Sequence, residues 1–131
     1  MSAVIHIAAA LLLDDQGRTL LVRKRGTTAF MQPGGKLEPG EPPVQALLRE
    51  LHEELGLRLA PEQARFLAQV RAPAVNEPGF EVCCELFEVR SASAVAPAAE
   101  IAEARWVTLQ QAQQLPLAPL TRDEIFPRFW G

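Results

Sequence analysis

The stretch from Gly34 to Leu57, GGKLEPGEPPVQALLRELHEELGL, decides how this chain is read. Pro42 and Pro43 suit the first turn of a helix, where a missing N–H costs little, and Gly56 suits its end. Between them Val44, Leu47, Leu48, Leu51 and Leu55 keep the three-and-four spacing of a buried face. Glu50, Glu53 and Glu54 keep a similar spacing, so their carboxylates share a stripe. At about 100° per residue, the acidic stripe lies at the margin of the apolar one, in partial shelter. Like charges this close repel, and a bound divalent cation is the obvious compensation. The tandem glycines Gly34 and Gly35 let the backbone turn tightly and approach a ligand closely.

Upstream, Val4 to Leu13 reads as a strand. Asp14-Asp15-Gln16-Gly17 is a turn signal, and Thr19 to Val22 is the returning strand of a hairpin. Arg23-Lys24-Arg25 follows as the densest basic cluster. Either it is a solvated strand end or Arg23 contacts phosphate beside the acidic helix. Phe30 either packs in the core or stacks on a base.

Downstream, Pro61 to Gln69 starts with a turn or short helix and enters a strand at Phe66. Ala72 to Gly79, with Pro73 and Pro78, reads as a loop, and Phe80 to Val89 as a strand. Ser91 to Ala99 is irregular. Thr108 caps a short helix from Leu109 to Leu115, and Thr121 to Phe126 makes a helical turn or two. Strands on both sides of a central helix predict an α/β or α+β domain with a mixed sheet, a single unit over 1–131.

Composition narrows the function. Net charge is -3 and the pI is about 5.4, so no broad basic surface is available and no nucleic-acid partner is expected. The longest apolar run, Ile7 to Leu13, is too short to span a bilayer, which needs about 20 residues. No Lys or Arg precedes it, which predicts a cytoplasmic protein with no membrane partner. Cys83 and Cys84 are adjacent in a strand-like run and point to opposite faces, so they read as buried side chains rather than a disulfide or shared ligands.

Taken together, Gly35, Glu41, Arg49-Glu50-Leu51, Glu53-Glu54 and Gly56-Leu57 resemble the Nudix box at nine constrained residues over 23 positions. The upstream hairpin and Trp106 before a short helix also look like this family. The resemblance implies a Nudix-type α/β/α sandwich around a mixed sheet, with the box as loop–helix–loop. It implies hydrolysis of a nucleoside diphosphate linked to X with Mg²⁺ or Mn²⁺, on a small-molecule nucleotide, by a monomer or homodimer. Glu50, Glu53 and Glu54 then look like metal ligands, with the Gly34 carbonyl and a loop glutamate, Glu100 or its rival Glu103. Arg49 looks like the residue that orients the carboxylates, and Glu41 like its partner. Glu50 is the favoured base, with Glu53 and Arg49 in the catalytic set.

Beyond the box, the chain has no tyrosine, so the one that marks many diadenosine-polyphosphate hydrolases is absent. The extra motifs of the NADH and coenzyme A groups are missing too. Pro73 falls where many ADP-ribose pyrophosphatases carry a proline. The compact length looks more like MutT-type nucleoside triphosphate pyrophosphatases, with ADP-ribose or nucleotide sugars, a non-catalytic nucleotide-binding domain and RNA decapping as alternatives.

Overall fold

Ile7 to Leu13 is apolar without alternation, as suits a strand covered on both faces. A computed structural model, which describes residues 3–74 and 77–130, places this run inside Ala3–Leu13 (β1), in the interior of a six-stranded mixed sheet. Thr19–Lys24 (β2), Gly34–Lys36 (β3), Ala64–Pro73 (β4), Phe80–Arg90 (β5) and Ile101–Val107 (β6) complete it, in the order β4-β5-β1-β2-β6. β1 runs parallel to β5, from Ala3 opposite Phe80 to Leu13 opposite Arg90. Its other edge is divided. β2 meets it at Leu13 and Thr19, while β3 pairs antiparallel with Ile7, Ala8 and Ala9. The β1–β2 hairpin therefore splays, and the first residues of the box occupy the opening.

Pro43–Leu55 (α1) forms as the prolines and leucines predict, and Gly56 ends it at φ 73° with its N–H donated to the His52 carbonyl. Leu47, Leu51 and Leu55 are at most 1% exposed and pack on Ala8, Ala10 and Leu12. On the other face, Ala9, Leu11 and Leu13 meet Ile125 and Phe126 from the C-terminal segment. Helix, sheet and helical segment thus give the expected layering around a mixed sheet.

Thr108 caps Leu109–Ala112 (α2), its hydroxyl accepting the Gln111 N–H and its own N–H donating to the Gln111 side chain. The helix stops there, short of Leu115. Leu120–Ile125 is a widened, π-helical segment running into Phe126–Phe129 (α3). Pro127 has no N–H and crowds the carbonyl four residues back, and a π-turn accommodates both.

Two expectations need correction. β4 begins at Ala64, not Phe66, and runs through Pro73, which sequence placed in a loop. Because β4 is an edge strand, a residue without an N–H is tolerated in it. The rest of that loop includes residues 75 and 76, which lie outside the described residues. Cys83 and Cys84 are both buried and free. Among the described residues no helix is long and apolar enough to cross a membrane.

Candidate functional site

Arg49 organises the start of the helix. Its Nε and Nη2 donate to the two Glu41 oxygens at 2.9 and 2.8 Å, the forked pairing that guanidinium and carboxylate make best. Nη1 donates to Glu50 at 2.9 Å, Nη2 reaches the Lys36 carbonyl at 3.1 Å, and Glu53 lies 3.6 Å away. Glu41 also accepts the Glu38 N–H at 3.0 Å. The Arg49 bonds, helped by that N–H, hold the Glu41 carboxyl down at about 2. One guanidinium therefore ties the glycine loop, the helix start and two box glutamates together.

The stripe of glutamates divides by depth. Glu53 has a 51% exposed side chain, Glu50 a 16% exposed one, and Glu54 is 2% exposed. Glu54 accepts the Gly34 N–H at 3.2 Å. Burial pushes its carboxyl up to about 7, with nearby Glu50 and Glu100 adding to the rise and Gly34 and Lys24 opposing it.

The two glycines are required by close approach. At Gly34, with φ 150°, an added Cβ would stand 2.1 Å from the Ala8 carbonyl oxygen. At Gly35 it would stand 2.5 Å from the Glu50 carboxyl carbon. Any side chain here would push β3 off β1 or displace Glu50.

The irregular segment after β5 folds back over the end of α1, where Ala96 and Ala98 donate to the Leu55 and Glu54 carbonyls. It turns at Ala99, which has φ 54°, and delivers Glu100 to Lys24 at 3.2 Å. Glu103 lies elsewhere, paired with Arg23 and Arg105. Of the two loop glutamates, only Glu100 is brought to the cluster.

Two expected substrate contacts fare differently from their neighbours. Arg23 spends its guanidinium on the Thr27 carbonyl at 2.9 Å and on Glu103 at 3.3 Å. Lys24 borders the cavity beside Glu54 instead, a placement that the two-residue alternation of β2 signals once Val22 is known to face the same way. Phe30 is 4% exposed and packed in the core cluster with Leu21 and Ile125, which leaves no ring face free to stack on a base.

A cavity of about 190 Å³ opens beside Glu54, walled by Ile7, Ala9 and Val82 from the sheet and Leu120 and Thr121 from the C-terminal segment. Pro73 lies on its rim because β4 extends that far. Sequence reasoning missed Gln32, which also borders it. Gln32 is 6% exposed, and its amide oxygen accepts the Thr121 hydroxyl at 2.7 Å. Its Nε2 is the one buried side-chain polar atom without a partner among the described residues.

The donors around Glu54 are all oxygens, the set that hard divalent cations take. Among the described residues the box carboxylates do not form a trio with oxygens within 4.8 Å of one another. Mg²⁺ needs only one or two carboxylates, with waters and phosphate oxygens completing its shell. A buried carboxylate with one N–H donor and a rim of further oxygens fits that need.

Comparison with known proteins bears on the family and the fold. A family model described as the NUDIX domain matches residues 5–129. The MutT protein of Methanosarcina mazei Go1 superposes with a TM-score of 0.79 at 25% identity, covering 93% of this chain and 90% of that one. The ORF135 protein of E. coli does so with a TM-score of 0.70 at 29% identity, covering 90% and 83%. An RNA pyrophosphohydrolase of Francisella tularensis subsp. mediasiatica is 41% identical over 63 residues, 48% of this chain. That match spans 39% of the relative, so the chain aligns with about two-fifths of the length of the curated proteins it resembles. With the domain match running over nearly its whole length, the chain belongs to the Nudix family.

Proposed function

We propose that this chain is a divalent-metal-dependent pyrophosphohydrolase acting on a nucleoside diphosphate linked to X, most concretely a nucleoside or deoxynucleoside triphosphate cleaved to monophosphate and pyrophosphate. The observation that carries this reading is Glu54, a carboxylate 2% exposed at the mouth of a small cavity, with Gly34 and Glu50 beside it. A buried carboxylate with so few partners calls for a cation, and a divalent cation held there would in turn take phosphate oxygens. The cavity is below the roughly 300 Å³ at which sites for drug-sized ligands begin, which suits one ring system with the phosphates left outside.

Glu50, Glu53 and Glu54 hold Mg²⁺ or Mn²⁺ in this reading, with the Gly34 carbonyl and Glu100 as further oxygens. Bound there, the ion neutralises phosphate charge and acidifies water. Glu50 takes the proton of the attacking water as that water's oxygen bonds to phosphorus and the P–O bond to the leaving group breaks. Arg49 keeps Glu50 in position through its 2.9 Å bond, and Glu41 keeps Arg49 in position. Lys24 meets the phosphates and Gln32 offers a donor to the ring.

A second reading, removal of pyrophosphate from the 5′ end of RNA, draws on the curated relative of that name. The acidic charge balance weighs against it. Purified protein assayed against deoxynucleoside triphosphates, oxidised ones included, dinucleotides, ADP-ribose and 5′-triphosphorylated RNA decides between them. Turnover should require Mg²⁺ or Mn²⁺ and vanish with a chelator. Inactivity across the whole panel would favour a nucleotide-binding domain instead.

A further inference from the structure

The two cysteines differ in their surroundings. Cys84 lies in the apolar core beside Leu86 and Ile125, while Cys83 is equally buried, at 3% exposed, but belongs to neither apolar cluster. Its neighbours are polar. The parallel register of β1 and β5 sets His6 directly opposite Cys83, and Glu85, two residues on, shares the Cys83 face. A His6 ring nitrogen, Cys83 Sγ and a Glu85 oxygen all lie within 4.8 Å of one another. His6 and Glu85 touch at 3.0 Å, and Gln69 from β4 holds the same Glu85 oxygen at 2.7 Å. The Cys83 thiol has no hydrogen-bond partner among the described residues.

We infer that His6, Cys83 and Glu85 form a second metal site, for Zn²⁺ or a similar borderline transition dication, separate from the oxygen-only site at the box. Bonds of about 2.0 to 2.3 Å to N, O and S in a tetrahedron put neighbouring ligand atoms roughly 3.5 Å apart. Atoms already within 4.8 Å of one another have at most about 1.3 Å to close to reach that spacing. One thiolate, one carboxylate and a neutral imidazole also balance the two charges of the ion, which a half-buried site requires. The thiol gives up its proton on binding. The nearest guanidinium, that of Arg71, is paired with Glu81 at 2.8 Å. The half-exposed His6 leaves an open side for entry and for water as the fourth ligand. Sulfur and imidazole select against Mg²⁺, so the two sites take different metals.

The test is Co²⁺ titration of the reduced full chain, followed by absorption. A cobalt–thiolate charge-transfer band in the near ultraviolet should rise to one equivalent, survive excess Mg²⁺ and disappear on adding Zn²⁺. His6→Ala, at a half-exposed position outside the apolar clusters, should weaken Co²⁺ binding by at least about tenfold. Cys83→Ser should abolish the band, whereas Cys84→Ala and Glu53→Gln should keep it. Absence of the band in the reduced wild-type chain overturns the inference, as does a band unaffected by His6→Ala or lost in Cys84→Ala. None of these readouts depends on hydrolysis.

Discussion

Replacing Glu54 with Gln should stabilise the metal-free protein while disabling the enzyme. Glu54 is 2% exposed, and burial raises its carboxyl from 4.5 to about 7. Between those values the folded chain keeps the proton and the unfolded chain has lost it. Stability therefore falls as pH rises from 4.5 to 7 and stays lowered above 7. At about 1.4 kcal/mol per pH unit, the whole penalty is about 3.5 kcal/mol. Glutamine keeps the shape and can still accept the Gly34 N–H, but carries no charge to bury. In a chelator at pH 8, Glu54→Gln should melt about 10 °C above wild type, and the gap should close towards pH 4.5. Titrating groups remote from Glu54 cancel in the difference between the two proteins, and Glu50, Glu100 and Lys24 contribute only through their coupling to it. Added Mg²⁺ should raise the melting temperature of wild type and much less that of the variant, whose turnover should be lower by at least about 10²-fold. Circular dichroism melts from pH 4.5 to 8, with and without Mg²⁺, measure this. If the variant melts no higher than wild type at pH 8, or the gap is the same at every pH, the account of Glu54 as an uncompensated buried charge is wrong.

Glu53→Gln changes a half-exposed side chain, so its stability should stay within about 0.5 kcal/mol of wild type while turnover falls by at least about 10²-fold; near-normal activity refutes its role. Gly35→Ala brings a Cβ to 2.5 Å from the Glu50 carboxyl and should cut kcat at least about tenfold, about 1.4 kcal/mol in the barrier. Gly34→Ala meets the backbone of β1 at 2.1 Å and should show first as lost stability in a melt. Lys24→Met should raise KM by roughly tenfold or more, the worth of a charge-assisted hydrogen bond. Arg23→Met should affect KM less, because that side chain is held by Thr27 and Glu103. The reverse order would refute the placement of Lys24.

Much of the fold was legible because it depends on local rules. Prolines at a helix start, glycine at its end and Thr108 as a cap act within a turn or two, and each lies where its chemistry predicts. The C-terminal segment was harder, because its π-turn answers to Pro127 and to packing against the sheet together. The extent of β4 was harder still. A proline is acceptable in a strand only at an edge, and strand order is not a local property.

The candidate site divides along the same line. The sequence by itself determined which residues the box contains, that they form a helix, and that Glu50, Glu53 and Glu54 lie near one another on it. Helical periodicity places side chains around an axis but says nothing about what covers each one. Only the tertiary structure decided that Glu54 is buried under Gly34 while Glu53 faces solvent, although the two are adjacent in the chain. It also set Lys24 on the cavity and Arg23 against Glu103, paired Glu100 with Lys24, and placed Gln32 beside the cavity and His6 against Cys83. Each of those pairings joins residues far apart along the chain. They exist because β3 enters the gap beside β1 and because β1 and β5 run in parallel register, and no spacing rule within one segment contains that information.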